Sequence, residues 1–135
     1  MGDILTPLER SERMRLIRSQ DTKPEMAVRR LLFRLGYRYR LHSRKLPGHP
    51  DIVFQTKRKL IFVHGCFWHG HKSCRLTRLP KSKLVYWKPK LDNNTRRDSR
   101  VQRQLRKDGW GVLVVWECQL GDLERIASRL RRFLD

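Results

Sequence analysis

The chain has 135 residues, 39% of them apolar, and carries 32 lysines and arginines against 13 aspartates and glutamates, a net charge of +19. That length suits one domain with an ordinary core, and self-repulsion of that size opposes a compact state unless a polyanion is the usual partner; nucleic acid is the expected one, bound with a steep salt dependence. A membrane span is excluded, because no run of about 18 apolar residues exists, and a disulfide framework is not expected from three cysteines behind an N-terminus that lacks the apolar stretch of a secretory signal, so the expected compartment is the cell interior.

Thr22-Lys23-Pro24-Glu25 has the form of a capping box with proline in the first turn. Val28, Leu31, Leu32 and Leu35 follow on one helical face, and Gly36 is the expected C-terminal cap. Tyr37, Tyr39 and Leu41 alternate with Arg38, Arg40 and His42, which predicts a half-buried strand. Pro47-Gly48-His49-Pro50 breaks the chain. Asp51-Ile52-Val53-Phe54, a polar turn over residues 55–59, and Leu60-Ile61-Phe62-Val63 then predict a hairpin. Folded symmetrically about Lys57, it pairs Asp51 near Val63 and brings Asp51 and Val63-His64 to one rim of the sheet. Residues 75–91 are basic and irregular, with Pro80 and Pro89 as breakers. Residues 92–107 predict a strongly basic helix with Leu91, Val101 and Leu105 as a thin apolar stripe, ended by Gly109. Residues 110–116 hold the continuous apolar run of a buried strand. A last amphipathic helix starts at Gly121-Asp122, with Leu123, Ile126, Leu130 and Phe133 on one side. The order α-β-β-β-α-β-α gives a mixed sheet with helices on both faces, in which the two strands joined across the basic helix are parallel with a right-handed crossover.

Residues 62–74 concentrate the chemistry. Three of the five histidines and two of the three cysteines fall within these thirteen positions, around the pair Phe67-Trp68. Cys66, His71 and Cys74, with Cys118 at the end of the buried strand, make a Cys3His set that suits tetrahedral zinc; four protein ligands leave no open position, so such an ion is structural. The alternative is three buried thiols and a surface histidine, and His69 is a rival for the imidazole ligand. Asp51 follows Pro-Gly-x-Pro, where it either caps the turn or serves as a hard oxygen ligand for the divalent cation that phosphodiester cleavage requires. His64 and His69 are candidates for proton transfer near neutral pH. Glu25 either completes the capping box or joins this cluster. Phe67 and Trp68 are either core or a surface on which bases stack.

The residues Met14-Arg15, Asp21-Thr22, Glu25, Leu46-Pro47-Gly48-x-Pro50-Asp51, Phe62-x-His64-Gly65-Cys66-Phe67-Trp68-His69, Trp87-x-x-Lys90-x-x-x-Asn94-x-x-Arg97-Asp98, Gly109-Trp110 and Val115-Trp116-Glu117-Cys118 together resemble the very-short-patch mismatch-repair DNA endonucleases, from about residue 10 to the C-terminus. The resemblance implies an α/β restriction-endonuclease-like core. It implies magnesium-dependent nicking of one strand of double-stranded DNA, 5′ of the thymine in a T:G mismatch left by deamination of 5-methylcytosine. It makes Asp51 and the main-chain carbonyl of Val63 the magnesium ligands, His69 the proton-transfer residue oriented by Glu25, and His64 its assistant. Zinc falls to Cys66, His71, Cys74 and Cys118. Met14, Phe67 and Trp68 become the wedge at the mismatch, where a weakly stacked wobble pair opens at low energetic cost, and Lys90 and Asn94 contact the mismatched pair. Two positions depart from the family's pattern: Val63 stands where threonine is expected, and Cys74 comes one residue later than expected.

The reading is therefore a single endonuclease domain over residues 1–135, with residues 1–20 as a DNA-contacting arm. It is expected to act as a monomer in a bacterial cytoplasm, at the nucleoid, with repair proteins as candidate further partners and no membrane. Its rivals are a restriction-like or structure-specific nuclease of other specificity, and a zinc-stapled DNA-binding module without turnover.

Overall fold

Period-two alternation along the strands divides the core into two layers. The computed structural model describes residues 21–66, 69 and 84–135, residues 84–87 by backbone only. Its elements are α1 (Lys23–Arg34), β1 (Arg40–Leu41), β2 (Ile52–Phe54), β3 (Lys59–His64), α2 (Leu84–Lys107), β4 (Gly111–Trp116), a 3-10 turn (Glu117–Gly121) and α3 (Leu123–Leu134). The four strands form one sheet in the order β1-β2-β3-β4, with β1–β2 and β2–β3 antiparallel and β3–β4 parallel. Ile52, Phe54, Ile61 and Val115 meet Val28, Leu31 and Leu32 of α1 and Ile126, Leu130 and Leu134 of α3. Val53, Leu60 and Phe62 meet Leu105 of α2 and Trp110 on the opposite face. Each such side chain fully withdrawn from water contributes about 1.5–3 kcal/mol, so the two layers clamp the sheet from both sides.

The predicted element order holds, with local corrections. The hairpin register pairs Ile52 with Ile61, one residue away from symmetry about Lys57, because the turn occupies residues 55–58 with Arg58 at φ 51°. The predicted strand over 37–42 contracts to two residues; Tyr37 and Tyr39 instead set their rings edge-on to Phe54. The basic helix starts eight residues before Asp92, and Pro89 does not stop it. Proline removes a single helical hydrogen bond, and here it sits in the second turn, where the preceding carbonyls are only beginning to find partners. The apolar run of β4 is half-buried rather than buried throughout, since β4 lies last in the strand order.

Two features set the position of the sheet's functional end. Gly48 has φ 74°, and a Cβ there would come within 2.4 Å of Val101 on α2, so only glycine lets the Pro-Gly-x-Pro loop lie flat on the helix. Antiparallel pairing then continues past β1: the His42 amide donates to the Asp51 carbonyl at 3.0 Å and the Ser43 amide to the Pro50 carbonyl at 3.3 Å. The loop before β2 is thereby fixed to both neighbours. Among the described residues no helix is long and apolar enough to cross a membrane.

Candidate active site

Asp51 stands immediately before β2 and is held through side chain and main chain alike. Its Oδ2 accepts from the Val63 amide at 2.7 Å, a bond that ties it to β3 as the hairpin reading expected. Burial pushes its carboxyl up to about 7; the Val63 amide works against that shift, and the neighbouring Glu25 carboxylate adds to it. Glu25 is itself only 1% exposed. Its Oε2 lies 2.8 Å from His42 Nε2 and accepts from Arg29 Nη1 at 3.2 Å. Arg29 also donates to Asp21 at 2.7 Å. The capping box is therefore half formed: Thr22 Oγ1 accepts from the Glu25 amide at 3.3 Å, while the Glu25 carboxylate pairs with His42 and Arg29, the kind of partners that a buried carboxylate needs.

The second cluster lies where β3 and β4 end. His64 is opposite Trp116 in the parallel register, and their rings meet edge to face at 5.1 Å. His64 is buried, 4% exposed, and its Nδ1 has no hydrogen-bond partner among the described residues. Burial, then the adjacent His69, lowers its pKa to about 3, while Asp98 acts weakly the other way, so the ring is neutral across the physiological range. His69 stacks on it with centroids 3.8 Å apart and planes within 3°. Three further contacts hold His69: its amide donates to the Gly65 carbonyl at 3.2 Å, its carbonyl accepts from Thr95 Oγ1 at 3.3 Å, and its Nδ1 lies 2.5 Å from Asp98 Oδ2. The carboxylate bonded to His69 is thus Asp98 of α2, whereas Glu25, the partner that the resemblance implies for His69, pairs here with His42.

Cys66 and Cys118, far apart in sequence, meet at the same end: the Cys118 amide donates to Cys66 Sγ at 3.4 Å, and the Cys66 amide donates to Glu117 Oε1 at 3.4 Å. That is half of the expected zinc set; His71 and Cys74 lie outside the described residues, as do Met14, Phe67, Trp68 and the arm over residues 1–20. Lys90 is half-buried on α2. Asn94 is buried, and its Oδ1 accepts from Arg97 at 3.0 Å. Arg96, Arg100, Arg103 and Lys107 are exposed along α2 at spacings of four, three and four residues, which puts them on one basic face.

His42, Arg29, Asp98 and Trp116 are site residues that residue-by-residue reading missed. Asp98 left a signal: it lies seven residues after buried Leu91 and four after buried Asn94, so it shares the inward face of an otherwise basic helix. His42 left none, because its ring reaches Glu25 only through the turn after β1.

The donor chemistry fits a divalent cation. Glu25 and the half-buried Asp51 are adjacent carboxylates, and a hard cation offsets both the burial and the neighbouring charge that push Asp51 toward its neutral form. Two further groups, His64-His69-Asp98 and Asp21-Glu25-His42, each bring three ligand atoms within 4.8 Å of one another. A strongly basic α/β protein with a carboxylate pair and an imidazole pair at one end of its sheet is equipped as a phosphodiester-cleaving enzyme. Residues 2–76 match a family model described as DNA mismatch endonuclease Vsr. The whole chain is 53% identical over 135 residues to the type II nicking enzyme V.XorIIP of Xanthomonas oryzae pv. oryzae, covering 98% of that protein. It is 42% identical over 134 residues to the type II nicking enzyme V.NmeAIP of Neisseria meningitidis, covering 99% of this chain and 95% of that one. It is 40% identical over 128 residues to the DNA mismatch endonuclease Vsr of Escherichia coli, covering 95% and 81%. The chain belongs to the DNA mismatch endonuclease Vsr family and is a hydrolase of DNA phosphodiester bonds.

Proposed function

We propose that this endonuclease nicks one strand of double-stranded DNA 5′ of the thymine in a T:G mismatch, with magnesium at Asp51 and the Val63 main-chain carbonyl. The observation that carries the reading is the convergence, at one sheet end, of the Asp51–Glu25 pair with the His64–His69–Asp98 set. Magnesium, when bound, supplies charge that polarises the scissile phosphate and makes water a better nucleophile. Asp51 and the Val63 main-chain carbonyl, with Glu25 beside Asp51, would hold the cation. His69, its Nδ1 held by Asp98, has Nε2 available to move a proton to or from the reacting oxygens, and that bond keeps the ring in one tautomer and one orientation. His64 stays neutral and presents a flat surface against which His69 cannot tilt. In-line displacement leaves a 5′-phosphate and a 3′-hydroxyl, from which a short patch can be resynthesised.

The exposed basic face of α2 supports contact with the sugar-phosphate backbone. In the same reading the fold is a restriction-endonuclease-like core in a single domain. Met14, Phe67 and Trp68 open the mismatch, Lys90 and Asn94 contact its bases, and zinc binds Cys66, His71, Cys74 and Cys118. The meeting of Cys66 with Cys118 supports the last assignment. The description of two relatives as type II nicking enzymes favours a second reading, a nicking enzyme defined by sequence context.

End-labelled duplexes decide between the readings. With magnesium, a nick 5′ of the thymine in a T:G duplex, absent from T:A and C:G controls, supports mismatch specificity. Equal nicking of matched and mismatched duplexes of one sequence supports the second reading, and cutting of both strands overturns both.

A further inference from the structure

His42 contacts both acids of the carboxylate pair. Its ring Nε2 lies 2.8 Å from Glu25 Oε2, and its main-chain amide donates to the Asp51 carbonyl at 3.0 Å. The chain turns at this residue with φ 47°, a left-handed conformation that histidine, asparagine and aspartate enter more readily than most side chains. That turn lets one residue carry the β1 pairing onward through its backbone while its ring reaches across to α1. The other donor on Glu25, Arg29, is less committed: it sits at 3.2 Å on the same Oε2 and is shared with Asp21 at 2.7 Å. Arg29 and Glu25 also belong to one helix, one turn apart, so their bond cannot set where α1 stands relative to Asp51. The bond from His42 crosses from the β1 end to α1 and can.

We propose that His42 is a positioning residue for cleavage: its ring fixes Oε2 of Glu25 while its amide fixes the main chain of Asp51, so the two carboxylates are held side by side where a divalent cation can engage both. The proposal rests on the reading of Asp51 and Glu25 as the cation-binding acids. It follows from geometry alone, since a neutral histidine with its proton on Nε2 makes the same bond. His42 is not a catalytic residue, because it acts through Glu25.

Two substitutions separate positioning from mere structure. His42→Asn keeps a residue tolerant of the left-handed turn but is too short to reach Glu25. His42→Gln places an amide donor close to the position of Nε2. In single-turnover nicking of a cleavable duplex, the Asn variant should lose on the order of 10–100-fold in rate, the scale of removing a partner that orients a metal ligand. Its half-saturating magnesium concentration should rise, with duplex affinity and melting temperature close to those of the parent. The Gln variant should recover most of the rate. Parental rate and magnesium dependence in the Asn variant would overturn the proposal. So would equal losses in both variants, or a loss explained by a smaller folded fraction. Asp51→Ala, run beside them, tests the underlying reading separately: if it still nicks, the assignment of the acids fails, whatever the His42 variants do.

Discussion

Two pairs of like groups share one end of the sheet, and they are held together in opposite ways. Asp51 and Glu25 are acids in a buried place, each engaged by donors: the Val63 amide on one, His42 and Arg29 on the other. His64 and His69 are bases pressed face to face, and only His69 has a carboxylate, Asp98. In each pair one partner is driven toward its uncharged form, Asp51 upward to about 7 and His64 downward to about 3. The difference lies in what each pair lacks. In the proposed function the carboxylates await a cation, whereas the imidazoles act by themselves, His64 as a neutral platform and His69 as the proton-transfer group.

The largest test of that division is at His69. His69→Gln should lower the single-turnover nicking rate by about 10²–10⁴-fold, the range for loss of a general acid or base, with duplex binding retained. A loss under about threefold would remove His69 from the chemistry. Asp98→Asn should cost less, on the order of 10–100-fold, because it removes an orienting partner and leaves the imidazole in place. If Glu25→Gln alters the pH profile of cleavage in the way Asp98→Asn does, the two clusters are not separate and the comparison breaks.

Stability without metal sharpens the contrast through its sign. The folded chain binds the Asp51 proton more tightly than the unfolded chain does, so the contribution of this group is favourable below the ordinary carboxylate value of 3.8 and is lost as pH rises toward 7. Asp51→Asn should therefore melt a few degrees higher than the parent at pH 8, with the gain shrinking at pH 4.5. His64 runs the other way: the unfolded chain takes up its proton below about 6.5 and the folded chain does not until about 3, so stability falls as pH drops through that window. His64→Phe should melt higher than the parent at pH 4.5, with the advantage fading by pH 8. Thermal melts in a chelator at the two pH values check both, and advantages that do not change with pH would mean that the two groups titrate normally in the fold.

The smallest effect belongs to the basic face of α2, outside both pairs. Arg100→Ala and Arg103→Ala should each weaken duplex binding only a few-fold and reduce the slope of log affinity against log salt by about 1. They should leave the cleavage rate of bound duplex unchanged. A change in that rate would draw the helix into the chemistry.

The sequence by itself determined the element order, the alternation that divides the core, the turn at Gly48 and the clustering of chemistry at one rim, because these depend on neighbours within a few residues. It also indicated the acidic and imidazole members of the site, since Asp51, His64 and His69 lie on one hairpin and the turn that follows it. Only the tertiary structure decided which carboxylate serves which imidazole. Glu25 and Asp98 are both helical acids, and which of them meets His69 depends on how α1 and α2 pack on opposite faces of the sheet. The same packing brought His42 to Glu25. Such pairings arise from the placement of whole elements, a property of the packed core that no short stretch of residues encodes alone.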